Sequence, residues 1–466
     1  MQRLPIGIQT FEKLIQEDCA YVDKTPFVAE IGQGGYYFLS RPRRFGKSLL
    51  VSTFKAAFEG KRELFAGLYL ETAWDWERTR PVFQISFGSG VMRSVQDVQI
   101  RFRSILEDHA EAYGVQTTRQ DLRERFLQLI RLVHDVTGQK AVVLIDEYDK
   151  PILDNIDVPE LAAEIREELK NYYAVLKDSD PYLHLVFITG VSKFSKVSLF
   201  SGLNNLEDIT VTPAFSAICG YTQQELENVF REHLAGHDLD AVRRWYNGYA
   251  WLGEKVYNPF DILLFIKNKC VFDNYWFATG TPTFLIKLIE QNNFYIPQLD
   301  NLRVSKSLVD SYDIDNMKLE PLLLQSGYLT VKEQIQLSYG IEYILGFPNK
   351  EVAISFNDQI AVALTDANIA ENKGQLLQTM ENADLDKLHQ VLVSMFASIP
   401  YNNYTKNTIS HFEGYYASVI YAFFASIGLD LTAEDATSTG RIDMSIKTGN
   451  LIYILEFKVD NSDNAL

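Results

Sequence analysis

The stretch Tyr36-Tyr37-Phe38-Leu39-Ser40-Arg41-Pro42-Arg43-Arg44-Phe45-Gly46-Lys47-Ser48 decides how the N-terminal half is read. Tyr36 to Ser40 is a short aromatic and apolar run, Arg41 to Ser48 a basic turn, and Ser48 to Phe58 a periodic stretch, so the order is strand, loop, helix. The loop carries the second half of the phosphate-binding pattern GxxxxGK[ST], with Arg41 at the position of the first glycine. Gly46 lets the backbone turn close to phosphate, and Lys47 reaches the β and γ oxygens. Ser48 is placed to ligate Mg²⁺ at a helix N-terminus, where free amides favour anions. Pro42 removes one amide, so the loop must take another shape, with Arg43 or Arg44 as the candidate source of charge for the phosphates. Taken alone, Gly-Lys-Ser also starts ordinary surface helices.

A second element supplies what the loop lacks. Ala141 to Ile145 is an apolar run suited to a strand buried on both faces, and it ends in Asp146-Glu147-Tyr148-Asp149. This is a Walker B pattern: Asp146 is expected to hold Mg²⁺ through water and Glu147 to orient the attacking water. The plainer alternative is a buried strand followed by a solvated acidic turn. A third strand, Leu183 to Ile188, ends in Thr189-Gly190-Val191-Ser192-Lys193. Ligands of open α/β sheets sit at the carboxyl ends of strands, which makes Thr189 and Ser192 candidate γ-phosphate sensors; they read equally well as loop residues.

With GIQTFEKL (7–14), YVDKT (21–25), FLSRPRRFGKSLL (38–50), VLIDEYDKP (143–151) and TGVSKFSKVSLFSGLNNLEDIT (189–210), the chain resembles the bacterial AAA-ATPase-like proteins. The RPRRFGKS loop is itself a hallmark of that family. The resemblance continues through WYNGYAW (245–251), YNPFDILLFI (257–266) and YWFATGTPTFL (275–285), and implies a helical region packed on the nucleotide domain. Residues 216–340 read by themselves only as mostly helical and aromatic-rich, with Tyr249 and Trp276 as plain core.

The C-terminal end has its own geometry. Arg441 to Lys447 alternates, with Ile442, Met444 and Ile446 on one face and Arg441, Asp443 and Ser445 on the other; Leu451 to Lys458 follows a Gly449-Asn450 turn. That turn pairs Asp443 with Glu456 and puts Lys458 on the same face, the carboxylates about 5 Å apart at Cβ. Two such carboxylates repel unless a cation lies between them, and oxygen ligands suit Mg²⁺. Lys458 would orient or deprotonate a water, or steady the charge of the scissile phosphate. Asp443, Glu456 and Lys458 resemble the core of the PD-(D/E)xK nucleases, a domain that the AAA-ATPase-like family often carries at this end. The resemblance implies that Glu413, at the start of the helical stretch 414–426, completes the metal site; a helix N-terminus also favours a glutamate for its dipole alone. Glu434 is a further candidate ligand or a turn residue. The bland alternative for the hairpin is a sheet edge guarded by charges. Ile452 and Ile454 share the face of Glu456 and argue for a covered face. The nuclease fold normally continues with another helix and strand, so the chain also reads as truncated.

Composition bounds these readings. A chain of 466 residues suggests about three domains of roughly 150 residues, and 47% apolar residues with a mean hydropathy of -0.10 suit a globular protein. The N-terminus lacks the form of a secretory signal. The most apolar run, Val419 to Leu429, is far short of the roughly 20 residues that span a bilayer. A cytoplasmic protein without membrane contact is expected. The three cysteines, Cys19, Cys219 and Cys270, suggest neither disulfides nor zinc. A net charge of -17 opposes generic attraction to polyanions, so nucleic acid must be held by a local basic patch or by metal ions.

The expected fold is α/β: a P-loop NTPase core with a mostly parallel sheet (1–215), a helical, lid or winged-helix-like region (216–340), and a connector with a PD-(D/E)xK-like α/β domain (341–466). The expected function is ATP binding and hydrolysis, with ATP and Mg²⁺ as cofactors, coupled to Mg²⁺-dependent cleavage of DNA or RNA. The alternative is a signalling NTPase whose C-terminal module binds a partner or nucleic acid without cutting it. No arginine finger is evident, and oligomers remain open.

Overall fold

The computed structural model describes residues 1–193, 199–200, 202–277, 285, 288–289, 294–310, 318–365, 369–397, 413–436 and 441–457. Apolar runs without alternation become strands covered on both sides. Five of them, β1 (Gly35–Ser40), β2 (Val82–Ser86), β3 (Ala141–Asp146), β4 (Leu183–Gly190) and β5 (Leu206–Asp208), form one parallel sheet in the order β2-β3-β4-β1-β5. Every residue of β3 is buried. The order sets β4 between the strand that leads into the Gly-Lys-Ser loop and the strand that ends at Asp146, so Thr189 falls between the two motifs.

The helix Lys47–Phe58 packs on β2 and β3. The helices Val95–Ala112, Leu122–Thr137 and Pro159–Asp178 pack on one another, the first two also on β2 and β3 respectively. Helix Leu122–Thr137 shows the local logic. Asp121 caps it by accepting the Glu124 N–H, Gly138 ends it at φ 65°, and Leu122, Phe126, Leu129, Ile130 and Val133 are its buried stripe.

The middle of the chain combines helices with short strands. Short helices (Gln223–Val229, Leu239–Tyr246, Pro259–Lys267) gather with the hairpin of β6 (Asn247–Tyr249) and β7 (Val256–Tyr257), several of them sharing a separate apolar cluster. Beyond them, β8 (Leu302–Ser305), β9 (Thr330–Leu337) and β10 (Gly340–Gly346) form an antiparallel sheet in the order β8-β10-β9, and the helices Lys306–Asp310 and Leu319–Ser326 lie between β8 and β9. β9 carries Lys332, Glu333, Gln334 and Gln336 exposed, which dilutes the apolar signal along the chain. β10 also runs across the boundary drawn at 340.

In the last part, the helix Lys350–Thr365 lies along Glu413–Ser426. Val419 to Ala425 is buried throughout, so the most apolar run of the chain is a core helix; among the described residues no helix is long and apolar enough to cross a membrane. β11 (Asp430–Ala436), β12 (Arg441–Thr448) and β13 (Leu451–Leu455) form a second antiparallel sheet with β12 at its centre. Met444 pairs with Leu455 and Thr448 with Leu451, the register expected from the Gly449-Asn450 turn, and Gly449 takes the positive φ of 56° that such a turn demands.

Candidate functional site

The loop after β1 is shaped from outside as much as from within. Arg41, at the first glycine position, points inward and is fully buried. Its guanidinium donates to the carbonyls of Ser40 (2.9 Å), Thr210 (2.7 Å) and Phe215 (2.9 Å) and lies 3.9 Å from the centre of the Trp251 ring. Burial pulls its pKa down to about 10, so it stays charged at neutral pH. Phe45 packs edge-on against Tyr249 and Trp251. The Trp276 indole donates to Arg43 O at 3.2 Å, and Gly327 leaves room for Pro42, which a Cβ there would meet at 2.7 Å.

These anchors leave Arg43 and Arg44 exposed on the rim, Arg44 at a φ of 71° with its guanidinium 4.9 Å from the Phe260 ring centre. Gly46, at φ 91°, opens the helix. Lys47 is buried, and its ammonium donates to Arg41 O (2.8 Å) and Pro42 O (3.0 Å). Burial lowers its pKa and the charge of Asp146 opposes the shift. An ammonium resting on two carbonyls is well placed to exchange them for an anion that enters the cleft.

That cleft, of about 450 Å³, is lined by Arg43, Arg44, Lys47, Ser48 and Glu147, with Phe260 across from them. The size is that of small-molecule sites. Glu147 holds a positive φ of 54°, and burial, then the charge of Asp146, raises its pKa. Gly88 makes room for it, since a Cβ there would lie 2.8 Å from Glu147 Oε2. Asp146 stands just behind, buried, accepting the Thr189 hydroxyl at 2.7 Å.

Thr189 and Ser192 do not line the cleft. Thr189 serves Asp146, while Ser192 donates from its N–H (2.7 Å) and its hydroxyl (2.6 Å) to Asp149 Oδ2. Asp149 also accepts the Val191 N–H at 3.1 Å and so ties the end of β3 to the end of β4. Asp149 and Phe260 went unrecognised as cleft residues because their places follow from contacts across the sheet and across the cleft.

A carboxyl pair lies behind the cleft wall. Asp261 sits on the helix Pro259–Lys267, whose Phe260 faces the cleft; Glu351 opens the helix Lys350–Thr365; both are fully buried. Glu351 Oε1 accepts the N–H groups of Trp276 (2.9 Å) and Phe277 (3.2 Å), whereas Glu351 Oε2 and both Asp261 oxygens lack a donor among the described residues. A proton held between the two carboxyl groups would supply it. Burial, then the charge of Glu351, holds Asp261 well above the usual carboxylate range, and burial pushes Glu351 up to about 7. The folded pair therefore binds more protons than the unfolded chain. Glu351's contribution to stability is largest in acid and is lost as pH rises from the ordinary 4.5 towards about 7, while Asp261's starts to be lost above the ordinary 3.8 and goes on being lost up to its own raised pKa. Asp261→Asn, whose amide donates without titrating, should show a smaller fall in melting temperature across that range than the parent; superimposable pH profiles would mean that no proton is shared.

At the C-terminal end, Asp443 is half-buried and Glu456 exposed. The ladder ends at Met444 and Leu455, the residues just inside Asp443 and Glu456, and beyond it the Phe457 N–H donates to Asp443 Oδ2 at 2.8 Å. Met444 and Ile446 are buried, with Tyr453, Leu455 and Phe457 packed against the core, as the alternation requires. The opposite face of β13 departs from expectation: Ile452 and Ile454 are 65% and 62% exposed. Glu413 opens its helix and Glu434 lies in β11, but their side chains, and Lys458 altogether, fall outside the described residues. Among the described residues no group of three or more metal-binding side chains is assembled.

Comparison with known proteins agrees with this architecture. Residues 5–200 match the family model described as "Predicted AAA-ATPase", and residues 411–465 match that of the PD-(D/E)XK nuclease superfamily. A relative from Azotobacter chroococcum mcd 1, described as "Uncharacterized protein in vnfD 5'region", is 46% identical over 462 residues, covering 98% of this chain and 89% of the relative. With the parallel sheet, the Gly-Lys-Ser loop and the carboxylate hairpin in the places those matches require, the chain belongs to the predicted AAA-ATPase family and carries a PD-(D/E)XK nuclease-superfamily module at its C-terminal end.

Proposed function

We propose that this chain binds and hydrolyses ATP in the cleft beside Lys47, and that its nucleotide state governs Mg²⁺-dependent phosphodiester hydrolysis of nucleic acid at the C-terminal hairpin. The observation that carries the reading is the meeting of Lys47, Ser48 and Glu147 on one cleft, with the Asp146 carboxylate directly behind. In this reading Lys47 moves from its loop carbonyls to the β and γ oxygens, and Arg43 and Arg44 balance the remaining phosphate charge from the rim. Ser48 and Asp146 hold Mg²⁺, and Glu147 accepts the proton of the attacking water. Thr189 orients Asp146, and Ser192 acts through Asp149, which steadies the edge of the site. Mg²⁺, when bound, supplies Lewis acidity at the phosphoryl oxygens. The nucleotide domain is taken as 1–215, the middle region as 216–340 and the connector with the nuclease-like domain as 341–466. A cytoplasmic location supplies both ATP and nucleic acid.

For cleavage, Asp443 and Glu456 offer carboxylates just beyond the end of the ladder, and the family resemblance adds Glu413 as a ligand and Lys458 as the group that handles water or phosphate charge. The full chain incubated with Mg²⁺, ATP and labelled DNA or RNA should cut the strand, and Glu456→Ala should slow cutting by about a hundredfold. Absence of cutting, or cutting unchanged in Glu456→Ala, sinks the nuclease half. One observation favours the second reading, a nucleotide switch that binds without cutting: Ile452 and Ile454 stand exposed beside Glu456, a surface suited to a partner. In that case ATP turns over and the strand stays intact.

A further inference from the structure

A second cleft, of about 580 Å³, opens between the β6–β7 hairpin and the β8–β10–β9 sheet. Lys255, Lys306 and Lys332 all line it, with Thr212, Gln334 and Tyr343 as neutral hydrogen-bonding neighbours. The three lysines come from different elements: Lys255 just before β7, Lys306 just after β8, and Lys332 within β9. Among the described residues none of them is in an ion pair. Their acidic company is Glu333 in the lining and Asp300, whose charge reaches Lys332. In a chain of net charge -17, a cleft that collects three lysines, with Asp300 beside one of them, runs against the average of the surface.

The backbone is adapted to hold one of them there. Val331 pairs with Leu345 and Glu333 with Ile344, so Lys332 is the extra residue of a β-bulge. A bulge re-aims a side chain that regular alternation would send elsewhere. Gly346 accommodates the redirected stem, since a Cβ there would come within 3.0 Å of Lys332 Cε. Lys332 is exposed, yet partial desolvation of its ammonium lowers the pKa, Asp300 opposes the shift, and the nearby charge of Lys255 adds to it. Like charges held together in this way are relieved by an anion. The helix Leu319–Ser326, which a groove-reading protein would expose, is buried from Pro321 to Gln325 and tied to the nucleotide domain by the Lys193 N–H on Gln325 Oε1 (2.9 Å). That helix is not available as a recognition surface.

We propose that this cleft binds the phosphodiester backbone of a nucleic-acid strand through Lys255, Lys306 and Lys332, supplying the local basic patch that an acidic nucleic-acid enzyme requires. The inference rests on the nucleic-acid reading of the function and adds where the strand is held. The test is fluorescence anisotropy of the full chain with labelled single-stranded DNA, duplex DNA and RNA of one sequence, in EDTA so that nothing is cut. Lys255→Gln, Lys306→Gln and Lys332→Gln are combined in one variant, and the matching Lys→Arg triple is the rescue. Between about 50 and about 200 mM salt, the Gln triple should lose about tenfold or more in affinity, and its plot of log affinity against log salt should be shallower by about 2, at roughly 0.7–0.9 per phosphate contact. The Arg triple should bind as the parent does, and all three proteins should share one melting temperature and one ATP turnover. The polymer with the largest loss identifies the strand. A parent that binds and a Gln triple with unchanged affinity and slope overturns this site alone; a parent that binds none of the three polymers overturns the nucleic-acid reading with it.

Discussion

Replacing Glu147 with Gln is expected to lower ATP turnover by about 10²- to 10⁴-fold while leaving ATP affinity within about threefold, the signature of a lost general base. The geometry sets the size. Glu147 is held at φ 54° where β3 ends, on the wall that also bears Lys47 and Ser48, and Gly88 keeps the space beside its carboxylate clear. Its raised pKa, due to burial and then to the charge of Asp146, makes it a better base than an exposed glutamate. Gln fills the same volume and cannot take a proton. The pH dependence carries the sign. Because the pKa is raised, the parent should lose activity in acid at a pH above the ordinary 4.5, and the residual activity of the variant should lack that limb. Single-turnover hydrolysis and equilibrium nucleotide binding measured side by side decide the matter; full turnover in Glu147→Gln would remove this residue from the reaction.

Arg41→Ala is expected to destabilise the fold by roughly 3 kcal/mol or more, an effect on folding that precedes any effect on nucleotide. The guanidinium satisfies three carbonyls, from Ser40, Thr210 and Phe215, and fills the space over Trp251. Alanine takes the guanidinium away from all three, leaving Phe215 O with the Ile218 N–H, and opens a cavity under the loop. Lysine should restore only part of the loss, because a single ammonium cannot span three carbonyls and does not stack flat on an indole. Denaturant midpoints for the parent, Arg41→Ala and Arg41→Lys test the order. A normal midpoint for Arg41→Ala with weakened ATP binding would mean that Arg41 acts on the phosphates, as its place in the motif suggests at first sight.

The parts of the protein that were legible along the chain are those whose cause is local. β1, β3 and β4 follow from apolar runs, the helix after Gly46 from its period, and the register of β12 on β13 from a two-residue turn whose glycine must take a positive φ. Each of these is set by neighbours a few residues away, so the amino-acid order by itself determined the parallel-sheet core with its Gly-Lys-Ser loop and the register of the C-terminal hairpin. Tertiary structure alone decided which way the polar groups point. Arg41 turns inward because carbonyls some 170 residues downstream await it. Ser192 and Thr189 turn to Asp149 and Asp146, across 43 residues in each case, and so stand behind the cleft instead of in it. Phe260 closes the cleft from another region of the chain, Asp261 and Glu351 meet in the core, and a bulge paired with Gly346 aims Lys332 beside Lys255. Periodicity ranks residues by burial; it carries no information about which distant donor or acceptor a buried polar group will find, because that is settled by the packing of the whole chain.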